Sequence, residues 1–239
     1  MDMRMERRVF LAAAPVAALA GATRAVAGTT DLAVSCDFAA APAVRRAAQA
    51  FRARSGVRIR VFPTANGLLL PQLQREIQND IIVTAPATLD AADKVGVIKP
   101  GARSVSWRNR LVVAEGVGGP AGSFAIPDPT PASAIDGPAV LQALGLMPAH
   151  VQGVVDTGAV AWMLANGEVA QGLVLQTEVA ADNRLRAVSP VPDAACPPVL
   201  YAASVTTLAS RGDPAAFVAF LGSSDGFAAL HEAGLEAVA

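Results

Sequence analysis

The stretch VSCDFAAAPAVRRAAQAF (34–51) reads as a strand that turns into a helix through small residues and Pro42. Turns of this kind hold anions on free backbone N–H groups, so a carboxylate at Asp37 has two readings. It caps the N–H groups of its own turn, or it hydrogen-bonds a polar or cationic solute. Asp156-Thr157 poses the same choice at a later helix start. As an N-cap, Asp156 would itself occupy the N–H groups an anion needs, which leaves the Thr157 hydroxyl as the better ligand candidate. Asn66-Gly67 is an ordinary turn pair, and the Asn66 amide can also donate to and accept from a ligand.

Chemistry beyond binding finds little support. The two histidines, His150 and His231, fall after a Pro-Ala turn and inside an amphipathic closing helix. Cys36 and Cys196 are too far apart for a C-x-x-C motif, and no His/Cys cluster has metal-ligand spacing. GDP (212–214) and GSSDG (222–226) are helix-cap chemistry without the spacing or lysine of a phosphate loop. The expectation is a protein that is not an enzyme, with no catalytic residue, metal or cofactor. The two cysteines can pair in an oxidising compartment or stay as buried thiols.

Residues 1–27 have a charged start, an apolar middle from Val9 to Ala20 and the small-residue pattern Ala25-Val26-Ala27. These are the parts of a secretory signal cleaved before Gly28. Arg7 and Arg8 followed by Val9, Phe10 and Leu11 resemble the twin-arginine export motif. The apolar middle is shorter than the roughly 20 residues that span a bilayer, and no later run is long enough either. Arg4, Arg7, Arg8 and Arg24 among the 19 basic residues, and Asp2 and Glu6 among the 20 acidic ones, belong to the leader; 15 basic and 18 acidic residues remain. A weak negative balance argues against a nucleic-acid partner. Export predicts a periplasmic location.

These residues must be positioned by alternating strands and helices, the pattern of sheets covered by helices. Asp31–Cys36, Val57–Phe62 and Asp80–Ala85 read as strands. The helix after the first has Val44, Ala47, Ala48 and Phe51 on its buried face and ends at Ser55-Gly56. Thr64–Gly67 makes the next turn, and Leu69, Leu73 and Ile77 fit a second helix. A Gly/Pro-rich stretch beyond Asn109–Gly116 marks a boundary. A second set follows, with strands at FAIPD (124–128), Val151–Asp156 and Gly172–Thr177, and helices at Ala139–Leu144 and Val160–Ala165. Pro197–Ala209 returns as a strand. Two closing helices have Asp213-Pro214 and Ser223 or Ser224 at their starts and Gly234 at the end.

NDIIVTA, VGVI, NRLVV, LQALGL, ANGEVAQGLV, PPVLYAASV and DPAAFVAFLGSSDGFAALHEAGL occur in the order seen in the periplasmic molybdate-binding proteins of ABC importers, and the chain beyond the leader resembles that family throughout. The resemblance implies an α/β, two-lobed type II periplasmic binding protein fold. Each lobe would be a mostly parallel sheet flanked by helices, with the ligand in a cleft that closes by hinge motion. Lobe one would comprise 28–110 plus 199–239, lobe two 111–198, crossing near Arg110–Glu115 and Pro197–Ala203. It further implies a molybdate- or tungstate-like oxyanion as ligand, an inner-membrane ABC permease as partner, and a monomer. The alternative is a homologue whose pocket has diverged toward another small polar solute, sensing or a partner protein. Carried over by position, the family's first-turn serine falls at Ala39 and its second at Ala65 or Asn66. Its small residue after the third strand is Ala85, preceded by Thr84. Its lobe-two loop falls near Ser133, its valine at Thr157 and its tyrosine at Leu175. The expected ligand set is therefore Asp37, Ala39, Asn66, Ala85, Ser133 and Thr157.

Overall fold

The computed structural model describes residues 31–75, 79–104, 106–129 and 135–238. Ile77 and Ser133, both singled out above, lie outside the described residues.

Three short parallel strands form the heart of the first sheet. β1 (Leu32–Asp37) pairs with β2 (Ile59–Thr64) on one side and with β3 (Ile81–Thr84) on the other. β1 and β3 are almost entirely apolar and buried, as central strands must be. β2 alternates inward and outward because it is the edge. Antiparallel strands complete the sheet. β11 (Val199–Thr206) pairs with β3, with β4 (Ile98–Arg103) and with β5 (Trp107–Asn109), and β12 (Leu235–Ala237) closes the far edge. The second sheet has the order β10-β6-β9-β7-β8. β7 (Ser123–Pro127), β8 (His150–Val154) and β9 (Gln171–Leu175) are parallel, and β6 (Leu111–Glu115) and β10 (Arg186–Pro190) run antiparallel to their neighbours. The chain leaves the first sheet through Arg110 and returns between Pro190 and Val199.

Among the described residues eight α-helices cover the sheets: α1 (Ala41–Ser55), α2 (Asn66–Gln74), α3 (Pro86–Lys94), α4 (Gly137–Leu144), α5 (Thr157–Ala165), α6 (Gln176–Ala181), α7 (Pro214–Leu221) and α8 (Ser224–Glu232). On α1 the buried face is Ala43, Val44, Ala47, Ala48 and Phe51, and Gly56 ends the helix at a φ of 73°, which a side chain would strain. Phe51 meets Phe217 and Phe220 of α7 with ring centroids 5.3 Å away in each case, which anchors the C-terminal pair of helices on the first sheet.

The turn expected over Thr64–Gly67 is shorter in the structure. Thr64 still belongs to β2, Ala65 is the helix cap, and Asn66 is the first residue of α2. α3, β4, α6 and β10 did not stand out as elements of the sequence. α6 is only six residues long and β10 is almost wholly exposed, so neither has an apolar period. Asp213 caps α7 by accepting the Ala216 N–H at 3.1 Å. Asp213→Ala should cost about 1 kcal/mol, or a melting temperature lower by roughly 2–4 °C; an unchanged thermal melt would contradict the cap's role.

Candidate functional site

Parallel strands place their following turns at one end of a sheet, and ligands of open α/β sheets sit beyond those ends. Asp37 ends β1, Ala65 and Ala85 follow β2 and β3, and the three share such an end in the first sheet. Asp156 and Gln176 follow β8 and β9 in the second. The two ends face each other directly. The Thr177 hydroxyl on α6 donates to the carbonyl of Ala39 across them at 2.7 Å, and Ala39 packs on the core of the second lobe.

Asp37 caps its own turn: its Oδ1 accepts the Ala39 N–H at 2.9 Å and the Tyr201 hydroxyl at 3.4 Å. Among the described residues its other oxygen has no partner. Burial raises the Asp37 pKa, the Ala39 and Tyr201 donors oppose this, and the charge of Asp156 adds to the rise. Asp156 is exposed and caps α5, its Oδ1 accepting the Ala159 N–H at 2.8 Å. Glu178, in the first turn of α6, is the third carboxylate. Its Oε2 accepts the Leu175 N–H and its Oε1 the Thr157 hydroxyl, both at 2.8 Å. Burial is the largest cause that pushes Glu178 up to about 7, with the negative charges of Asp156 and Asp37 adding to it. Gly158 lies beside both lobe-two acids: a methyl group there would sit 3.3 Å from Asp156 Oδ1 and 3.7 Å from Glu178 Oε1.

Each of these carboxylates occupies backbone N–H groups at a helix start. The protein's own acids thus stand where an oxyanion would need donors, and each repels a second anion. Two unit charges about 5 Å apart interact by roughly 3 kcal/mol at an effective dielectric of 20. Two other helix starts of the first lobe differ: neither Ala65 before α2 nor Ala85 before α3 makes a side-chain cap hydrogen bond. Among the described residues no three His, Cys, Asp or Glu side chains converge closely enough to hold a metal ion. The acids share a field, not a coordination point. The Cys36 thiol is buried and pushed up to about 12, first by burial and then by the Asp37 charge, so it stays protonated and unreactive. Cys36 and Cys196 are both free and buried.

Asp37, Ala39 and Thr157 are brought together around the contact between lobes. Asn66 and Ala85 sit on the same end of the first sheet, Ala85 following the residue of β3 that pairs with Ala202 of β11. Ala39 supplies no side-chain donor, and both its N–H and its carbonyl serve internal bonds. Thr157 is buried, and its hydroxyl is held by Glu178. Leu175 is buried as well. Sequence reasoning missed Glu178 and Tyr201. Both had a signal: a Glu three residues after a strand's last residue fits half of a capping box, and Tyr201 is the chain's single tyrosine, whose hydroxyl needs a partner once buried.

A family model described as bacterial extracellular solute-binding protein matches residues 32–236. The chain belongs to that family. Among solved structures the fold is similar to the periplasmic molybdate-binding protein of Azotobacter vinelandii, at 15% identity and a TM-score of 0.69 over 87% of this chain and 100% of that one. It is also similar to a substrate binding domain assigned to a molybdenum ABC transporter of Clostridium difficile, at 18% identity and 0.68 over 87% and 99%. A more distant likeness is the spermidine/putrescine ABC transporter substrate-binding protein PotD of Streptococcus pneumoniae, at 12% identity and 0.54 over 85% and 81%. At these identities the likeness establishes the two-lobed type II fold. No curated protein matches the sequence.

Proposed function

We propose that the protein is the extracytoplasmic receptor of an ABC importer, and that its cleft takes a small organic solute presenting hydrogen-bond donors or positive charge to the second lobe. In this reading residues 1–27 are the export leader, and the mature protein is a periplasmic monomer that hands its solute to an inner-membrane permease. Lobe one is 28–110 with 199–239, and lobe two is 111–198. Asp156 and Glu178 of the second lobe and Asp37 of the first supply the acceptors, with Ala85 and the start of α2 at Asn66 beside Asp37.

The observation that carries the ligand class is the occupation of the N–H groups by carboxylates at Asp37, Asp156 and Glu178. Spare oxygens on Asp37 and Asp156 accept donors; they cannot donate to an oxyanion. Phe38, exposed in the same turn as Asp37, adds an aromatic ring of the kind that attracts organic cations. That a neighbour of similar fold is named for spermidine and putrescine transport is consistent with this reading. A second reading, a molybdate- or tungstate-like oxyanion, is favoured by one observation: the starts of α2 and α3 carry no side-chain cap. Native mass spectrometry of protein purified from the periplasm separates the two. A retained amine or other donor-rich molecule is the expected result, and a retained tetrahedral oxyanion would overturn the proposal.

A further inference from the structure

Asn109 ends β5, one residue before the chain leaves the first sheet, and is fully buried. A buried amide requires partners for its donors and its acceptor, and Asn109 finds them on the second lobe. Its Nδ2 donates to Thr177 Oγ1 at 2.8 Å and its Oδ1 accepts the Thr177 N–H at 3.3 Å. The Thr177 hydroxyl donates in turn to the Ala39 carbonyl, and the Ala39 N–H and the Tyr201 hydroxyl both donate to Asp37. The bonds run unbroken from β5 through the second lobe and back to β11.

We propose that this hydrogen-bond network, Asn109–Thr177–Ala39–Asp37–Tyr201, is a hinge lock that fixes the angle between the lobes, with Thr177 as its junction. Asn109 and Tyr201 lie on the strands beside the two crossings, Asp37 and Ala39 on the first lobe's cleft turn, and Thr177 on the second lobe's α6. A relative displacement of the lobes by an ångström or more at this point would stretch the Thr177–Ala39 bond out of range and strand buried polar groups. The network therefore favours one lobe angle over a spread of angles.

A close approach at the start of α6 reinforces it. Gly234, at a φ of 90° after α8, lies so near the first turn of α6 that an added Cβ would sit 2.8 Å from the carbonyl carbon and oxygen of Gln176 and 3.0 Å from the Thr177 nitrogen. The start of α6 thus meets both the Ala39 turn and Gly234 of the first lobe. The network also reaches the proposed solute site, because Asp37 belongs to both. A solute that engages the free Asp37 oxygen would engage a carboxylate already fixed by the lock.

The inference rests on the two-lobed reading but needs no ligand, so failure to find a solute would leave its test intact. Small-angle scattering and amide hydrogen exchange on the mature chain compare wild type, Thr177→Val, Thr177→Ser and Gly234→Ala. Thr177→Val removes the hydroxyl with little change of shape, and Gly234→Ala drives a wedge against α6. Both should increase the radius of gyration and speed exchange at Gln176 and Thr177 at least tenfold, with Phe124 in β7 unchanged as an internal reference. Thr177→Ser keeps the hydroxyl and should behave as wild type. Should Gly234→Ala fail to fold, the Val/Ser pair at Thr177 decides alone. A lower melting temperature for Thr177→Val with unchanged radius of gyration and unchanged exchange at 176–177 would overturn the lock and leave the network a purely structural one.

Discussion

Thermal stability should rise as the pH falls from 8 to 5, and Glu178→Gln should remove most of that rise. The folded protein holds Glu178 at a pKa of about 7, while an unfolded glutamate titrates near 4.3. Between those values the native state binds more protons than the unfolded chain, so stability falls with increasing pH. The contribution is fully present below the unfolded pKa and is lost as the pH climbs through about 7. At 1.36 kcal/mol per pKa unit a displacement of this size is worth on the order of 3 kcal/mol, which corresponds to a melting shift of roughly 5–10 °C for a protein of this size.

Glutamine in place of Glu178 is neutral throughout. Its carbonyl can accept the Leu175 N–H, and its amide can donate to the Thr157 hydroxyl, which turns to accept. Glu178→Gln should therefore melt higher than wild type at pH 8 and show a flattened profile. A residual slope of the same sign is expected from Asp37, whose pKa is also raised by burial, and Asp37→Asn should reduce it. A melting temperature that holds steady or climbs from pH 5 to pH 8 in the wild type would refute the assignment. A full slope surviving in Glu178→Gln would move its origin to another group.

The elements that sequence made legible are those with a period or a cap. Val44, Ala47, Ala48 and Phe51 recur at helical spacing because one face of α1 must be buried. Asp213-Pro214 marks the start of α7 because its side-chain acceptor and its missing N–H both suit a helix start. The site was less legible. Its turns could be located, since each follows a strand, but the bonds inside them join residues remote in sequence: Thr157 to Glu178, Asn109 to Thr177, Tyr201 to Asp37. A carboxylate after a strand looks the same in sequence whether it faces a ligand or caps its own turn. Here the local cap leaves one oxygen of Asp37 open, so the two readings are not exclusive. Glu178 was hidden for a different reason: its helix is too short to announce itself, and its effect on the cleft comes from burial that only the assembled lobes create.

Taking the negative charge off the second-lobe wall should reverse which solutes the protein binds. In the wild type, diamines and basic amino acids should raise the melting temperature, whereas molybdate, tungstate, phosphate and sulfate should not. The double variant Asp156→Ala, Glu178→Gln frees the Ala159 N–H at the start of α5 and removes the Asp156 charge and, above about pH 7, that of Glu178. A hydrogen bond to a charged group is worth about 1.5–3 kcal/mol, so one recovered donor alone should strengthen oxyanion binding by roughly ten- to a hundredfold, with the removed repulsion added to it. Amine binding should weaken by a comparable factor. Binding to the native state at a hundredfold excess over the dissociation constant stabilises by about 2.7 kcal/mol, well within the resolution of a thermal melt. The double variant loses the α5 cap through Asp156→Ala, so each variant is compared with its own ligand-free melt. If molybdate already stabilised the wild type and the double variant bound it no better, the carboxylates would not be what selects the solute, and the uncapped starts of α2 and α3 would carry recognition instead.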